Sequence, residues 1–196
     1  MFQFLLLVIA LSSSINAFVQ QSRILNKLNV QSSNTALNWA HHQAAEAGDL
    51  EFIMDHLAKR PEDISDYDID GQTMLHFACK KGHVPLAKFL IDMGPEFINF
   101  KNIRYRTPIY WAASYAGWNP GSESLAYYLI EKGADPRIQS KDCIDAFDQA
   151  KRADKEGKTD GKFHQRLKEA FAKAQADGVE IVPVALEKCT KRLYWG

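Results

Sequence analysis

The sequence predicts an all-α fold in which short helix–turn–helix units stack side by side. Two observations support this prediction. The run Thr-Met-Leu-His-Phe-Ala at 73–78 has a counterpart thirty-four positions later, Thr-Pro-Ile-Tyr-Trp-Ala at 107–112. Gly48 and Gly82 are also thirty-four positions apart, and each separates two segments with apolar residues at helical spacing. One such unit cannot bury its apolar face alone, so we expect the neighbouring units to share a core.

Residues 70–83 resemble the ankyrin signature, in which a T-P-L-H-x-A run opens the first helix of a unit of roughly 33 residues. The third unit ends with Leu-Ile-Glu-Lys-Gly-Ala-Asp-Pro at 129–136, which is similar to the family's L-L-x-x-G-A-D-P close. The run Ala-Phe-Asp-Gln-Ala at 146–150 stands where terminal repeats of the family often read A-L-D-L-A. The resemblance implies an ankyrin-repeat solenoid over 36–150, with three full repeats and a truncated fourth.

Two histidines, His42 and His76, occupy the histidine position of the family motif. The resemblance implies that each imidazole lies at a helix start and hydrogen-bonds backbone groups of the loops. The third unit has Tyr110 at this position and the fourth has Asp148, so the position requires no shared chemistry. His41 and His42 are adjacent and point in different directions on a helix. We therefore predict no metal site.

The loop at 100–106 departs from the family pattern, which has Asp-x-x-Gly near its tip. Asn102 replaces the Asp, and Tyr105 replaces the Gly. Glycine is favoured there because it adopts backbone conformations that other residues resist, so Tyr105 implies strain or a reshaped turn. Arg104 and Arg106 flank this aromatic ring on an exposed loop. The third unit also carries an insertion between its helices, with the turn sequence Asn-Pro-Gly-Ser at 119–122.

The C-terminal part of the chain differs from the repeats. Residues 151–161 mix both signs of charge with glycines, which indicates a solvated linker. Within 162–196, Phe163, Leu167 and Phe171 recur at helical spacing and predict an amphipathic C-terminal helix. An extended tail follows, interrupted by Pro183. We expect this helical extension and its tail to fold back and cover the exposed face of the last repeat.

The N-terminus has the composition of a targeting leader. Residues 1–17 contain a short apolar run and end in Asn-Ala, as in a secretory signal peptide. Residues 18–35 contain Arg23, Lys27, amides and hydroxyls but no acid, as in an organelle transit peptide. The junction of Ala17 and Phe18 resembles the bipartite leader of algae with complex plastids. That resemblance implies a plastid address, with a secreted or endomembrane protein as the alternative.

Cysteine usage points to the same compartment. Cys79, Cys143 and Cys189 are far apart, odd in number and without a C-x-x-C motif. A secreted disulfide scaffold of this size usually has more cysteines. We therefore expect free thiols in a reducing plastid stroma.

The ankyrin resemblance implies a non-catalytic scaffold or adaptor that holds a protein or peptide partner on its loops and on the concave face of its first helices. Aromatic residues and arginines, which are enriched at interfaces, concentrate in this part of the chain. We predict that the partner contacts Ile69, Phe77, Lys80, Ile103, Arg104, Tyr105, Trp111, Tyr115 and Trp118. An escort or assembly role for plastid proteins is the specific form of this prediction.

Other classes of function find less support in the sequence. The chain has 196 residues with 24 basic and 24 acidic side chains, whereas nucleic-acid binders are normally strongly basic. No apolar run is long enough to span a membrane. No nucleophile–base pair, phosphate loop or zinc spacing is present, so we predict no enzyme activity and no cofactor. We expect a monomer. The alternative is an enzyme in which His164, Glu169 and Cys189 converge in the C-terminal extension.

Overall fold

The computed structural model describes residues 40–182, which form eight α-helices with no strand among them. The predicted leader, the first residues of the repeat region and the tail beyond 182 lie outside this range. In chain order the helices are α1 (40–47), α2 (Leu50–Lys59), α3 (Met74–Lys81), α4 (Val84–Met93), α5 (Pro108–Ser114), α6 (Ser122–Glu131), α7 (Ala146–Lys155) and α8 (Phe163–Ala176). Across 40–182 no helix has the length and apolar character needed to cross a membrane.

The helices follow one another as four pairs that stack into two rows, which confirms the predicted all-α repeat fold. In the inner row α3 packs against α5, and α5 packs against α7. In the outer row α6 contacts both α4 and α8. Single 3-10 turns follow α2 and α4, at Pro61–Ser65 and Pro95–Phe97. The loops that join one pair to the next project beside the inner row.

The inner-row helices start at residues with capping chemistry. Thr73 and Thr107 are the N-cap residues of α3 and α5, and Pro108 occupies the first position of α5, where its missing N–H costs nothing. Asp145 caps α7 by accepting a hydrogen bond from the backbone N–H of Asp148 at 2.9 Å. Threonine thus stands at the N-cap of both α3 and α5, at one register of the repeat.

One apolar core runs through the stack. Small residues in the inner row, such as Ala78, Ala112 and Ala150, are fully buried and let those helices approach closely. Large aliphatic side chains from both rows fill the space between the helix pairs. The largest fully buried side chains are Ile53, Leu57, Met74, Leu86, Ile91, Ile98, Ile109, Leu125, Leu129, Ile130, Phe163 and Leu167.

Helix α8, predicted as a C-terminal extension, lies in the outer row beside α6 and α7. The Asp154 carboxylate accepts hydrogen bonds from the backbone N–H groups of Phe163 at 3.0 Å and His164 at 2.8 Å, which fixes the start of α8. The His164 ring nitrogen Nδ1 lies 2.8 Å from the carbonyl oxygen of Phe147 in α7. The C-terminal helix thus packs on the last repeat helix and completes the fourth unit as a helix pair.

Residues 179–182 run back along the third unit. Val182 donates its backbone N–H to the carbonyl of Gly133 at 3.0 Å. The buried Asn99 side chain donates to the carbonyl of Val182 at 2.8 Å and accepts from the backbone N–H of Asp135 at 2.9 Å. Asn99 therefore joins the end of the second unit, the end of the third and the C-terminal segment.

The cysteines only partly follow the expectation. Cys79 is a buried free thiol, and burial raises its pKa because the thiolate is disfavoured away from water. Cys143 is disulfide-bonded. The expectation of free thiols is therefore wrong for Cys143, because odd number and wide spacing in the sequence say nothing about which cysteines the fold brings together.

Candidate functional site

The loops between units form three fingers with one backbone pattern. We define the first finger as residues 68–72, the second as 102–106 and the third as 140–144. In each finger the N–H of the first residue donates to the carbonyl of the last, with N···O distances of 3.0, 3.1 and 2.9 Å respectively. The fourth residue has a positive φ in all three: Gly71 at 72°, Tyr105 at 58° and Cys143 at 59°.

Adjacent fingers are hydrogen-bonded to each other. Ile103 of the second finger donates its N–H to the carbonyl of Asp70 at 3.0 Å. Lys141 of the third finger donates in the same way to the carbonyl of Arg104 at 3.0 Å. The second finger is therefore held from both sides and presents its side chains from a fixed backbone.

The second finger is also organised from within by Asn102. The buried side-chain oxygen Oδ1 of Asn102 accepts from the backbone N–H of Arg104 at 3.0 Å and of Arg106 at 2.9 Å. Asn102 thus stands at the position of the Asp in the family pattern, and its side-chain oxygen accepts the backbone N–H groups of the finger. An amide oxygen fills this role as well as a carboxylate because both accept two hydrogen bonds.

Tyr105 combines a strained backbone with an exposed aromatic side chain. Its φ of 58° lies in the left-handed region, which costs a residue with a Cβ about 1–2 kcal/mol. The ammonium groups of Lys101 and Lys141 lie 5.6 and 5.0 Å from the centroid of its ring. Strain at this residue, the first of the two outcomes expected from the sequence, is therefore confirmed.

His76 connects the second finger to the start of α3. Its Nδ1 accepts the backbone N–H of Thr73 at 3.1 Å, and its Nε2 lies 3.1 Å from the carbonyl oxygen of Arg106. Because Nδ1 accepts, the proton is on Nε2, which donates to Arg106. Complete burial lowers the pKa of His76 to about 4, so the ring is neutral at pH 7. The structural role expected for the motif histidine is confirmed at this position.

A cavity of about 200 Å³ lies between the first two fingers and the inner helices. This is smaller than the roughly 300–1,000 Å³ of small-molecule pockets, so the cavity suits a single side chain of a larger partner. Its walls are Asp70 and Gln72 of the first finger, Lys80 of α3, Trp111 of α5 and Asn102, Ile103, Arg104 and Arg106 of the second finger.

Three buried polar atoms of this cavity wall have no hydrogen-bond partner among the described residues: Gln72 Oε1, Arg106 Nε and Trp111 Nε1. A buried donor or acceptor without a partner costs about 1–3 kcal/mol. Native structures contain few such groups, so three around one small cavity make it the candidate site of this surface.

Two cations lie close to the indole of Trp111. The Lys80 ammonium lies 5.4 Å from its ring centroid, and the Arg106 guanidinium carbon lies 5.3 Å from it. Arg106 is also held by a hydrogen bond from Nη2 to the Asp142 carboxylate at 3.0 Å. The lining carries the cationic side chains of Lys80, Arg104 and Arg106 and one acidic side chain, Asp70, while Asp142 outside the lining pairs with the Arg106 charge.

A second cavity of about 250 Å³ lies further along the concave face. Tyr115 and Trp118 line it together with residues of α7 and the linker that follows, including Gln149, Arg152 and Lys158. The Lys158 ammonium lies 4.6 Å from the Trp118 ring centroid. The linker predicted to be only a solvated connector therefore contributes to the wall of this cavity.

The structure divides the nine predicted contact residues. Lys80, Ile103, Arg104 and Trp111 line the first cavity, and Tyr115 and Trp118 line the second. Ile69 is exposed on the first finger, and Tyr105 is exposed on the second. Phe77 is only 9% exposed and belongs to the core, where its ring lies 5.8 Å from that of His42. The assignment of Phe77 to the partner surface is therefore wrong, because its side chain fills the space between α1 and α3.

Sequence reasoning missed Gln72 and Arg106, two of the cavity residues with unpaired atoms. Each directly precedes a motif threonine, Thr73 or Thr107, so the two stand thirty-four positions apart at one repeat register. A comparison of all residues at that register would have found them. The predicted contact set includes the cations Lys80 and Arg104 but neither of these two residues at the base of a finger.

The described residues include a His/His/Asp group at the first unit that the prediction of no metal site did not consider. Candidate ligand atoms of His41, His56 and Asp63 lie within 4.8 Å of one another. The Asp63 carboxylate oxygen Oδ2 is 2.8 Å from His56 Nε2 and 3.1 Å from Arg60 Nε. Because the Arg60 charge already occupies this carboxylate, we interpret the group as a buried ion-pair cluster that closes the first unit.

The alternative of an enzyme site in the C-terminal extension required His164 and Glu169 to meet Cys189. His164 bonds the Phe147 carbonyl, and the exposed Glu169 carboxylate accepts from the Gln165 side chain at 2.7 Å. Cys189 lies outside the described residues. Both described members therefore have structural contacts within or beside α8.

Comparison with known proteins assigns the repeat region. A family model described as "Ankyrin repeats (3 copies)" matches residues 41–140. "Ankyrin repeat and SAM domain-containing protein 6" of Mus musculus is 24% identical over 105 residues, covering 54% of this chain and 11% of that protein. "Palmitoyltransferase AKR1" of Lachancea kluyveri is 30% identical over 101 residues, covering 50% of this chain and 13% of that protein. The chain thus spans a small part of the length of either relative.

Proposed function

The chain belongs to the ankyrin-repeat family, and we propose that it is a non-catalytic scaffold that holds a partner protein on its second finger and concave face. One observation carries this proposal. The cavity beside the second finger has three buried polar atoms without a hydrogen-bond partner in the described range, and four predicted contact residues line it. Repeat solenoids use such concave surfaces for binding.

One of the two relatives described above is named as an enzyme. The fungal palmitoyltransferase is matched over 13% of its length, which is too little to carry its activity over to this chain. Among residues 40–182, His76 and His164 are both committed to backbone contacts that hold loops or helices in place. We therefore assign the polar groups of the concave face to recognition.

Photo-crosslinking at two equally exposed positions tests the proposal. Ile103 on the second finger is 51% exposed, and Met93 at the end of outer helix α4 is 46% exposed. A photoreactive phenylalanine analogue at residue 103 should yield a crosslinked partner protein in extract of the source cells, whereas the same analogue at residue 93 should not. Equal crosslinking at both positions, or none at residue 103, contradicts the proposal.

The finer form of the proposal concerns the client and the compartment. We propose that residues 1–35 direct the chain to a plastid, where it acts as an escort or assembly factor for plastid proteins. A fluorescent protein fused to residues 1–45 tests the address. We expect plastid fluorescence that is lost in Phe18→Ala, whereas secretion of both fusions contradicts a plastid address.

One observation favours the alternative of a secreted or endomembrane protein. Cys143 is disulfide-bonded, and disulfides persist mainly in oxidising compartments. The same scaffold working as a secreted or endomembrane interaction protein agrees with this bond. Counting free thiols in protein isolated under alkylating conditions separates the two possibilities, since a reducing stroma leaves Cys143 open to alkylation.

A further inference from the structure

We infer that the cavity between the first and second fingers binds one acidic residue of the partner. Arg106 Nε and Trp111 Nε1 donate hydrogen bonds to its carboxylate, and Gln72 Oε1 accepts a hydrogen bond from a backbone N–H beside it. The inference rests on the proposed function and names the chemistry that the partner must offer. The carboxylate can belong to an Asp or Glu side chain or to a chain end, and the experiment below distinguishes these sources.

Two of the three unpaired atoms are hydrogen-bond donors. Arg106 Nε and Trp111 Nε1 can only donate, and both belong to side chains that line the cavity. A carboxylate is an acceptor with two oxygens, and its hydrogen bond to a guanidinium is charge-assisted and stronger than a neutral one. Both donors are shielded from water in the unliganded chain, so entry of the carboxylate involves rotation of the side chains around them.

The third unpaired atom adds a requirement that a simple anion does not meet. Gln72 is 7% exposed, and its Nε2 faces the Asp68 carboxylate oxygen Oδ2 at 3.5 Å. This contact fixes the orientation of the amide, because the reverse orientation would set two oxygens against each other. Oε1 is therefore an acceptor that needs a donor. A peptide residue supplies both groups, an acidic carboxylate and a backbone N–H.

Local charge and size agree with the same ligand. Lys80 and the exposed Arg104 bring positive charge to the cavity wall, and Asp70 of the wall opposes them. The nearby carboxylates of Asp68 and Asp142 already contact Gln72 and Arg106, so Lys80 and Arg104 favour an acidic residue over a basic one. The volume of about 200 Å³ holds one residue of a longer chain, and the fingers on either side are available to the residues that flank it.

The experiment observes the Trp111 indole directly by NMR. The ¹⁵N-labelled full chain is titrated with acetylated and amidated Gly-Gly-Glu-Gly-Gly, with its Gln counterpart, and with an acetylated glycine peptide that has a free C-terminal carboxylate. Trp111→Phe assigns the Nε1–H resonance. We expect a saturable shift of this resonance with the Glu peptide, with the free-carboxylate peptide or with both, and none with the Gln peptide.

We call the cavity with its Arg106, Trp111 and Gln72 atoms the carboxylate seat. A matched pair of double variants separates binding at this seat from general charge effects. Lys80→Gln with Arg104→Gln should weaken Glu-peptide binding about fivefold. Lys88→Gln with Lys132→Gln removes the same charge from the outer helices, where both lysines lie over Tyr128, and should leave binding unchanged. The inference is overturned if the Gln peptide shifts Trp111 as much as the carboxylate-bearing peptides do, or if both double variants weaken binding alike.

Different results contradict the carboxylate seat and the proposed scaffold function. If residue 103 still crosslinks a partner while no peptide shifts Trp111, the scaffold proposal stands and the carboxylate seat is wrong. If residue 103 crosslinks nothing, the scaffold proposal itself is contradicted.

Discussion

The first and second fingers share a backbone but not the residue at its most demanding position. Asp68 and Asn102 each accept two backbone N–H groups of their own finger through Oδ1, at distances between 2.7 and 3.0 Å. The fourth residue then has a positive φ in both, 72° at Gly71 and 58° at Tyr105. The first finger has glycine at this position, which adopts a positive φ without strain, whereas the second finger has a residue with a Cβ.

The difference follows from what lies beside each finger. A Cβ at position 71 would stand 2.9 Å from the backbone nitrogen of Ile103, so the contact with the second finger leaves room only for glycine. The ring of Tyr105 instead lies close to the ammonium groups of Lys101 and Lys141. Strained residues persist where the surrounding structure holds them, and a strained, exposed tyrosine agrees with the recognition role proposed for the second finger.

The largest effect is expected when the first finger is given the residue of the second. Gly71→Tyr should lower the free energy of unfolding by about 3–4 kcal/mol, because it adds left-handed strain to a clash with the Ile103 backbone. Urea unfolding measures this loss. Tyr105→Gly is the reciprocal control and should not destabilise comparably; equal losses would show that the fingers are interchangeable.

The second finger should also be the acid-sensitive one, through His76. Burial lowers the pKa of His76 to about 4 from the 6.5 of an exposed histidine. The neutral ring therefore contributes stability that is complete above pH 6.5 and is lost as the pH falls through about 4. The loss amounts to about 3 kcal/mol.

Unfolding free energies measured from pH 7 to pH 4 test the role of His76. His76→Gln should be less stable at pH 7, because it loses the contacts to Thr73 and Arg106, but should lack this component of the pH dependence. An unchanged slope in the variant would assign the acid sensitivity to other groups.

A smaller effect is expected at the residue that organises the second finger. Asn102→Ala leaves the N–H groups of Arg104 and Arg106 without their acceptor and should cost about 2 kcal/mol. Asn102→Asp restores the residue type of the first finger and should change stability little. Chemical denaturation of both variants is the measurement, and similar losses in the two would mean that Oδ1 is not what holds this finger.

The smallest effect isolates the strain at Tyr105. Both Tyr105→Gly and Tyr105→Ala remove the ring, but only glycine relieves the positive φ, so the Gly variant should be more stable by about 1 kcal/mol. At Ile103, which is not among the residues with positive φ, the order should be reversed. Thermal unfolding of the Gly and Ala variants at residues 105 and 103 measures these differences. If Tyr105→Ala is as stable as Tyr105→Gly, the positive φ of Tyr105 does not strain the chain.

Much of the fold follows from the repeat register. The motif threonines mark the N-caps of α3 and α5, and Gly82 ends α3 in a left-handed conformation, as the turn between paired helices requires. Strain at Tyr105 also followed from the register, since the family has glycine there. Local sequence determines these features, because caps and turns depend on residues close to them in the chain.

The site was less predictable because it depends on contacts between units. The motif places Phe77 beside the concave face, but α1 covers it. Gln72 and Arg106 line a cavity that forms only when two fingers lie side by side, so neither residue stands out in the sequence. The His41, His56 and Asp63 cluster likewise joins segments whose proximity no local pattern reveals.

The most direct test of the account is the affinity of the partner recovered by crosslinking at residue 103, measured by titration against two double variants. Arg104→Ala with Tyr105→Ala removes one cation and one aromatic ring from the second finger, whereas Lys88→Ala with Tyr128→Ala removes one of each from the outer row. The account predicts a loss of about tenfold or more for the finger variant and none for the outer-row variant. Equal affinity of the finger variant and the unaltered chain would contradict it.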